Sequence, residues 1–240
     1  MKIRVKKPAG IILYEGPSIL DDAPIVVIAV LESKNQKTGN MVQTFILRAD
    51  ISPLAASKSG QDSSICGNCP HRWHHGGACY VNIGQAPEGI YKAFRRGIYP
   101  AYDPAIHARF FENRKIRFGA YGDPAAAPFE IWEMLAHMCQ GFTGYTHQAR
   151  HKNFDSRILE FCQLSLDTKK QAEKAGKAGY FRIVTDKAES LPDEIECLAD
   201  SKGLECKDCL LCNGKNKIFI QVHGTRKNNF LNNNRIIARG

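Results

Sequence analysis

Lys115-Ile116-Arg117-Phe118-Gly119-Ala120 opens a run in which short strand patterns and helix patterns alternate as far as Tyr180–Val184 (YFRIV). The first segment alternates apolar and polar residues and reads as a strand. From Pro128 to Cys139, Ile131, Leu135 and Met138 recur on one helical face with Trp132 beside them. Gly141–Tyr145 reads as a short strand, Asp155–Phe161 as a short helix and Gln163–Leu166 as a strand. Thr168 suits the N-cap of a helix through Lys177, ended by Gly179, and Tyr180–Val184 is again a strand. Such alternation marks parallel βαβ units, whose functional groups gather at the C-terminal ends of the strands.

Those ends carry ionisable groups. KIRFGA runs into Tyr121-Gly122-Asp123-Pro124, GFTGY into Thr146-His147-Gln148, QLSL into Asp167 and YFRIV into Thr185-Asp186. If the strands are neighbours, Asp123, His147, Asp167 and Asp186 converge on one cleft. The alternative is that each residue merely caps a helix or starts a turn. Asp123, His147 and Asp167 are the catalytic candidates, with the carboxylates as nucleophile, base or orienting groups and His147 as a proton or hydrogen-bond donor.

Upstream, Ile25–Leu31 and Val42–Leu47 read as two strands of a hairpin around the turn-rich Lys34–Asn40. A polar connection, Ser52–Ser64, follows. Pro87 then opens a helix over Glu88–Arg96 that stops at Gly97. The expected architecture is α/β: a TIM-like barrel, complete or incomplete, with an N-terminal β-hairpin and two cysteine-rich metal-binding segments. A β-rich segment covers 1–64, a barrel-like core with the first cysteine cluster 65–190, and a second cluster with a basic tail 191–240. No run of about 18 apolar residues is present to span a membrane, and no leader pattern opens the chain, so a cytoplasmic protein is expected.

The chain has nine cysteines, an odd number that argues against a disulfide framework in such a compartment. Cys139 and Cys162 stand in apolar surroundings and read as core. The other seven form two sets. Cys206-x2-Cys209-x2-Cys212, with Cys197 upstream and His223 downstream, has the spacing of a single metal centre. Four thiolates suit either Zn²⁺ or a [4Fe–4S] cluster. Cys66-x2-Cys69-x9-Cys79 encloses His71, His74 and His75. Three thiolates and an imidazole would make a zinc site, whereas three thiolates alone would leave one iron of a cluster open. In either set a zinc would close a loop without chemistry.

Thirty-three Lys and Arg stand against 24 Asp and Glu, a formal net charge of +9. This balance favours DNA, RNA or a nucleotide-like substrate, because neutralising phosphates releases counterions. Arg72 sits in the first cysteine loop beside Trp73. Lys92, Arg95, Arg96, Arg109, Arg114, Lys115 and Arg117 interleave with Tyr91, Phe94, Tyr99, Tyr102, Phe110 and Phe111. Of these, Arg72, Lys92, Arg95, Arg96, Arg114 and Arg117 are the nucleic-acid-binding candidates, since cations among aromatic rings suit a single-stranded or flipped base. A solvated basic helix face is the plainer alternative. Lys2, Arg4, Lys6 and Lys7 add a basic arm, and Arg226, Lys227, Arg235 and Arg239 a basic tail.

Three resemblances attach to these motifs. Ile65–Arg72, Ala78–Asn82, Arg117–Pro124, Gly144–Gln148 and Cys206–Cys212 resemble uncharacterised proteins encoded by phages and plasmids. That implies an infected or plasmid-bearing host cell but no activity. Gly119–Pro124, with Asp123 in the acidic place, is similar to the turn after the second barrel strand of radical S-adenosylmethionine enzymes. Ser165-Leu166-Asp167 is similar to a later strand, and the C-terminal cysteines to their auxiliary clusters. This chain has C-x2-C-x9-C where those enzymes have C-x3-C-x2-C. The resemblance implies S-adenosylmethionine as a cofactor. Cys206, Cys209, Cys212 and His223 also resemble the zinc site of the guanine transglycosylases of tRNA and phage DNA. That implies Asp167 or Asp186 as nucleophile and Asp123 as base. The expectation drawn from all of this is a phage or mobile-element metalloenzyme that modifies nucleic acid at a nucleobase by base exchange. The alternatives are a nucleic-acid-binding protein with structural metals and a radical-type iron–sulfur enzyme.

Overall fold

Period-two alternation sorts the central strands into two faces. Ile116, Phe118 and Phe142 point to one side and Arg117, Gly119, Thr143 and Tyr145 to the other. The first set packs with Trp132: the Phe118 ring lies 5.3 Å from both Trp132 and Phe142. The second set is left to line a cavity. The structure, a computed structural model, describes residues 6–237. Lys2, Arg4 and Arg239 of the basic arm and tail lie outside the described residues, as does the side chain of Arg235.

The strands are β1 (Gly10–Pro17), β2 (Pro24–Val30), β3 (Val42–Arg48), β4 (Lys115–Tyr121), β5 (Gly141–Thr143), β6 (Tyr145–Thr146), β7 (Gln163–Leu166), β8 (Tyr180–Val184), β9 (Ile195–Glu196) and β10 (Lys217–Gln221). They form two five-stranded sheets, β1-β2-β3-β4-β5 and β6-β7-β8-β10-β9. The expected hairpin is present as the antiparallel pair β2/β3, and β1 extends it antiparallel to β2. From β3 onward every pairing is parallel.

The TIM-like barrel needs correction. The fold is mixed α/β, but β1 ends one sheet and β9 the other, and the two sheets do not close on each other. They meet along one strand-like segment, 141–146, which pairs with β4 through β5 and with β7 through β6. Gly144 interrupts that segment: its N–H donates to Cys212 O at 3.0 Å, and its carbonyl accepts from Gln163 N at 2.9 Å. A Cβ at Gly144 would lie 2.6 Å from Cys162 Sγ, so a side chain has no room at this seam.

The helices are α1 (Pro53–Ser59), α2 (Ser63–Cys66), α3 (Ala86–Arg95), α4 (Pro104–His107), α5 (Phe129–Met138), α6 (Lys169–Lys174), α7 (Leu198–Ser201), α8 (Cys206–Cys209) and α9 (Lys227–Ile237). Thr168 caps α6 with the full capping box to Gln171 that its position suggests. The helix expected over Asp155–Phe161 is a 3-10 turn, Ser156–Glu160, capped by Asp155. The main core joins β1–β4, α5 and the Phe129 and Phe161 rings, whereas Ala78, Val222 and Phe230 form a small cluster of their own. No helix among the described residues is long and apolar enough to cross a membrane.

Candidate metal centre and cavity

A cavity of ≈ 380 Å³ opens over the inner face and C-terminal ends of the parallel strands. Strand positions enter it two apart: Arg117 and Gly119 on β4, Thr143, Tyr145 and His147 along the seam, Ser165 and Asp167 at β7, Phe181 and Ile183 on β8. Both cysteine sets line the same space, Cys66, Cys69 and Cys79 from the first and Cys197, Cys206, Cys209 and Cys212 from the second.

The first loop is built to hold its thiols inward. Cys66 ends α2, and Cys69 N donates to Cys66 O at 3.1 Å, so the C-x2-C pair sits on one turn. Gly67 makes that turn with φ +49°, and a Cβ there would lie 2.0 Å from Gln148 Oε1. Gln148 clamps the turn: its Oε1 accepts from Asn68 N at 3.0 Å and its Nε2 donates to Cys66 O at 2.8 Å. Cys79 N donates to His71 O at 2.8 Å and closes the loop. Burial pushes the Cys66 and Cys79 thiols up, and their mutual proximity and that of Cys69 add to it. A cation would reverse that cost by binding the thiolates.

Of the loop imidazoles, His71 is the one that turns into the cavity. His74 Nε2 donates to Lys58 O at 2.7 Å, and neither His74 nor His75 lines the cavity. His71 Nε2 lies 2.7 Å from Asp167 Oδ1, and His147 Nε2 lies 3.9 Å from the same oxygen. Burial opposes charge on Asp167, but hydrogen bonding to His147 and His71 prevails and holds its carboxyl well below the usual carboxylate range. Burial would lower His147, yet Cys69 and Asp167 beside it raise the imidazole well above its ordinary value.

His71, His147 and Asp167 are the one group among the described residues whose three ligand atoms lie mutually within 4.8 Å. Neither cysteine set is drawn in so closely. Tetrahedral zinc, with Zn–S of about 2.3 Å, brings its thiolates within about 4 Å of one another. A cubane gives each thiolate its own iron and spreads them further.

Asp123 has a different task. Its Oδ2 accepts from His147 N at 2.8 Å, its Oδ1 from Ala125 N at 3.0 Å, and its own N–H donates to Ile65 O at 2.6 Å. Burial pushes its carboxyl up against those hydrogen bonds. It joins the end of β4 to the cysteine turn and to His147. Asp186 does not line the cavity; it caps the 3-10 turn Lys187–Glu189 in a capping box with Glu189. For Asp186 the capping alternative holds.

In the second set, α8 carries Cys206 and Cys209, and Leu210 leaves the helix at φ +52° toward Cys212. Cys206 N donates to Lys37 O at 2.9 Å and Cys197 N to Phe219 O at 2.8 Å, which pins both ends of the set to strands or their loops. Burial pushes the Cys212 thiol up to about 12, opposed by a hydrogen bond from Tyr145 and reinforced by Cys197, Cys206 and Cys209. The four thiols are thus mutual neighbours. His223 is half exposed and outside the cavity lining; its Nδ1 bonds Gln221 O at 2.9 Å.

The cationic candidates divide by surroundings. Arg72 is buried, with Nε and Nη2 donating to Asp62 Oδ1 at 3.0 and 2.6 Å, Nη1 to Gly67 O at 2.9 Å and Nη2 to Gly60 O at 2.5 Å. Arg114 donates to Leu31 O and Asn40 O. Lys92, Arg95 and Arg96 lie exposed on α3 and at its end; Lys92 faces Glu88 at 3.8 Å and Arg95 donates to Ala49 O. Arg117 is the member of this set that lines the cavity. Gln148, Tyr80 and Tyr145 were given no role in sequence, although Gln148 and Tyr145 flank the Thr146-His147 pair. No family model, curated protein or solved structure matches the chain.

Proposed function

We propose that this chain is an iron–sulfur enzyme with two cysteine-bound centres facing one substrate cavity. The observation that carries this reading is that all seven clustered cysteines line the same space, at the strand ends where α/β folds place their chemistry. A zinc that only staples a loop has no need to face a cavity.

In this reading Cys66, Cys69 and Cys79 hold a cluster with one open iron, and Cys197, Cys206, Cys209 and Cys212 hold a complete one. Such centres supply electrons one at a time; S-adenosylmethionine, implied by the resemblance to radical enzymes, is the co-substrate that suits an open iron. The chain's own residues position and exclude. Asp123 and Gln148 fix the first cysteine turn. Asp167 orients His71 and His147 toward the cavity. Tyr80, Tyr145 and Phe181 offer aromatic walls to a planar substrate of nucleobase size. A base-exchange mechanism is less well served, because it asks a free carboxylate of Asp123, and that carboxylate is engaged by two backbone N–H groups.

Anaerobic purification with iron and sulfide analysis tests this. Two [4Fe–4S] clusters predict brown protein with about eight irons per chain. Cys206→Ala with Cys209→Ala should remove about half of that iron and leave the rest. Colourless protein carrying zinc in both sets would overturn the proposal.

A further inference from the structure

Arg117 carries a permanent charge into the cavity and pairs with neither of the carboxylates that line it, Asp123 and Asp167. Among the described residues no Asp or Glu pairs with it; Nη2 donates to Tyr80 Oη at 2.9 Å, and the buried Nε has no partner. Its guanidinium carbon lies 5.9 Å from the centre of the Tyr145 ring. Among the described residues, one of the five donors of the fork is used. A desolvated, unpaired guanidinium is expensive, and such a group persists when something else supplies the counter-charge.

Its place in the network is specific. Tyr80 directly follows Cys79 of the first set, and Tyr145 hydrogen-bonds Cys212 of the second. Arg117 therefore stands between the two centres, with its planar fork presented to the space they share. Burial opposes its charge, while Tyr80, Tyr145 and, after them, Cys206 raise its affinity for the proton; none of these offers a fork-shaped acceptor. An oxyanion does: a carboxylate or a phosphate accepts two parallel N–H bonds from one guanidinium.

We infer that Arg117, oriented by Tyr80 and backed by the Tyr145 ring, is the recognition site for an oxyanionic group of the substrate, which lies between the two cysteine sets. This rests on the iron–sulfur reading for what surrounds the anion, and not for the anion site itself. The rival role for Arg117 is to balance the charge of the C-terminal centre alone.

The test uses the full chain as purified anaerobically, with iron and sulfide measured on every preparation. Thermal unfolding is followed against inorganic phosphate and against acetate at constant ionic strength. In the wild-type protein one of the two probes should raise the midpoint saturably; which one does so tells phosphate from carboxylate. Arg117→Gln should weaken that probe by about tenfold or more, the worth of charge-assisted hydrogen bonds. Arg117→Lys, with a point charge and no fork, should recover only part of it. Tyr80→Phe, at an exposed ring whose loss of a hydroxyl spares the fold, should give a smaller loss.

Equal probe affinity in wild type, Arg117→Gln and Tyr80→Phe would overturn the inference, as would no saturable response to either probe. A changed reduction potential in Arg117→Gln with unchanged probe affinity would assign the residue to charge balance instead. Zinc-bearing protein that still binds a probe through Arg117 would sink the iron–sulfur reading and leave the anion site standing.

Discussion

Two arginines, Arg182 buried and Arg117 half-buried, show how differently one side chain can be employed. Arg182 is closed into an ion pair: Nε and Nη2 reach Glu194 at 2.7 and 2.5 Å, Nη2 also donates to Glu189 O, and both side chains are essentially inaccessible. Arg117 has no such partner. Removing Glu194 strands a buried charge, so Glu194→Gln should cost about 3–5 kcal/mol of stability, read by urea unfolding. Burial opposes charge on Glu194, yet the Arg182 hydrogen bonds prevail and lower its pKa. The pair's contribution is therefore full above the unfolded value of about 4.3 and fades as pH falls through the lower folded value. Glu194→Gln should flatten that acid-side slope of stability. Arg182's role was not legible in sequence, because it depends on Glu194 further along the chain; Arg117 was read there as one phosphate-binding cation among six, without the tyrosines that set it apart. The cysteines that line the cavity were legible as two sets, since their spacing is local. Gln148 was not: a side chain that clamps a ligand loop from 80 residues away has no periodic or compositional mark.

At the scale of elements, alternation and capping read well and edges did not. KIRFGA, YFRIV, the Trp132 helix and the Thr168 cap each carry their signal within a few residues. β9 has only two residues and β10 follows a cysteine turn instead of a helix, so nothing local marked either. The basic tail illustrates the same limit. Composition marked it only as a basic tail suited to a polyanion. Its described part instead forms α9, which covers the first cysteine loop: Arg226 stacks 5.5 Å over Trp73, Arg226 and Asn229 both donate to Gly77 O, and the Phe230 ring lies 5.5 Å from that of His71. Phe230 is buried in the small cluster with Ala78 and Val222. Phe230→Ala should cost about 3 kcal/mol locally. Hydrogen exchange of residues 71–79 should speed up, and, on the iron–sulfur reading proposed above, iron in the first set should fall while the C-terminal set keeps its own.

Across the whole molecule, apolar burial is uneven. The large core joins β1–β4 and α5, whereas β7, β8 and β10 cover themselves with fewer apolar partners. A small core is stabilised by staples, and bound metal contributes folding free energy through its thiolates. Chelation should therefore lower the thermal midpoint, by an amount set by about 4 kcal/mol for a ligand at a thousand times its dissociation constant. Exchange protection should fall more in β7–β10 than in β1–β3. Uniform loss across both sheets would contradict the unequal division. The expectation of a barrel erred at this scale: parallel order was readable from the alternation, but closure depends on which strands take the outer edges.

The bond from Cys206 N to Lys37 O, and that from Gly144 N to Cys212 O, tie the last cysteine turn to segments made far earlier. On the ribosome, the first three cysteines emerge long before β10 and α9 exist to shelter them. If the iron–sulfur reading proposed above holds, neither centre can be closed into the shared cavity until this last turn has been made and docked.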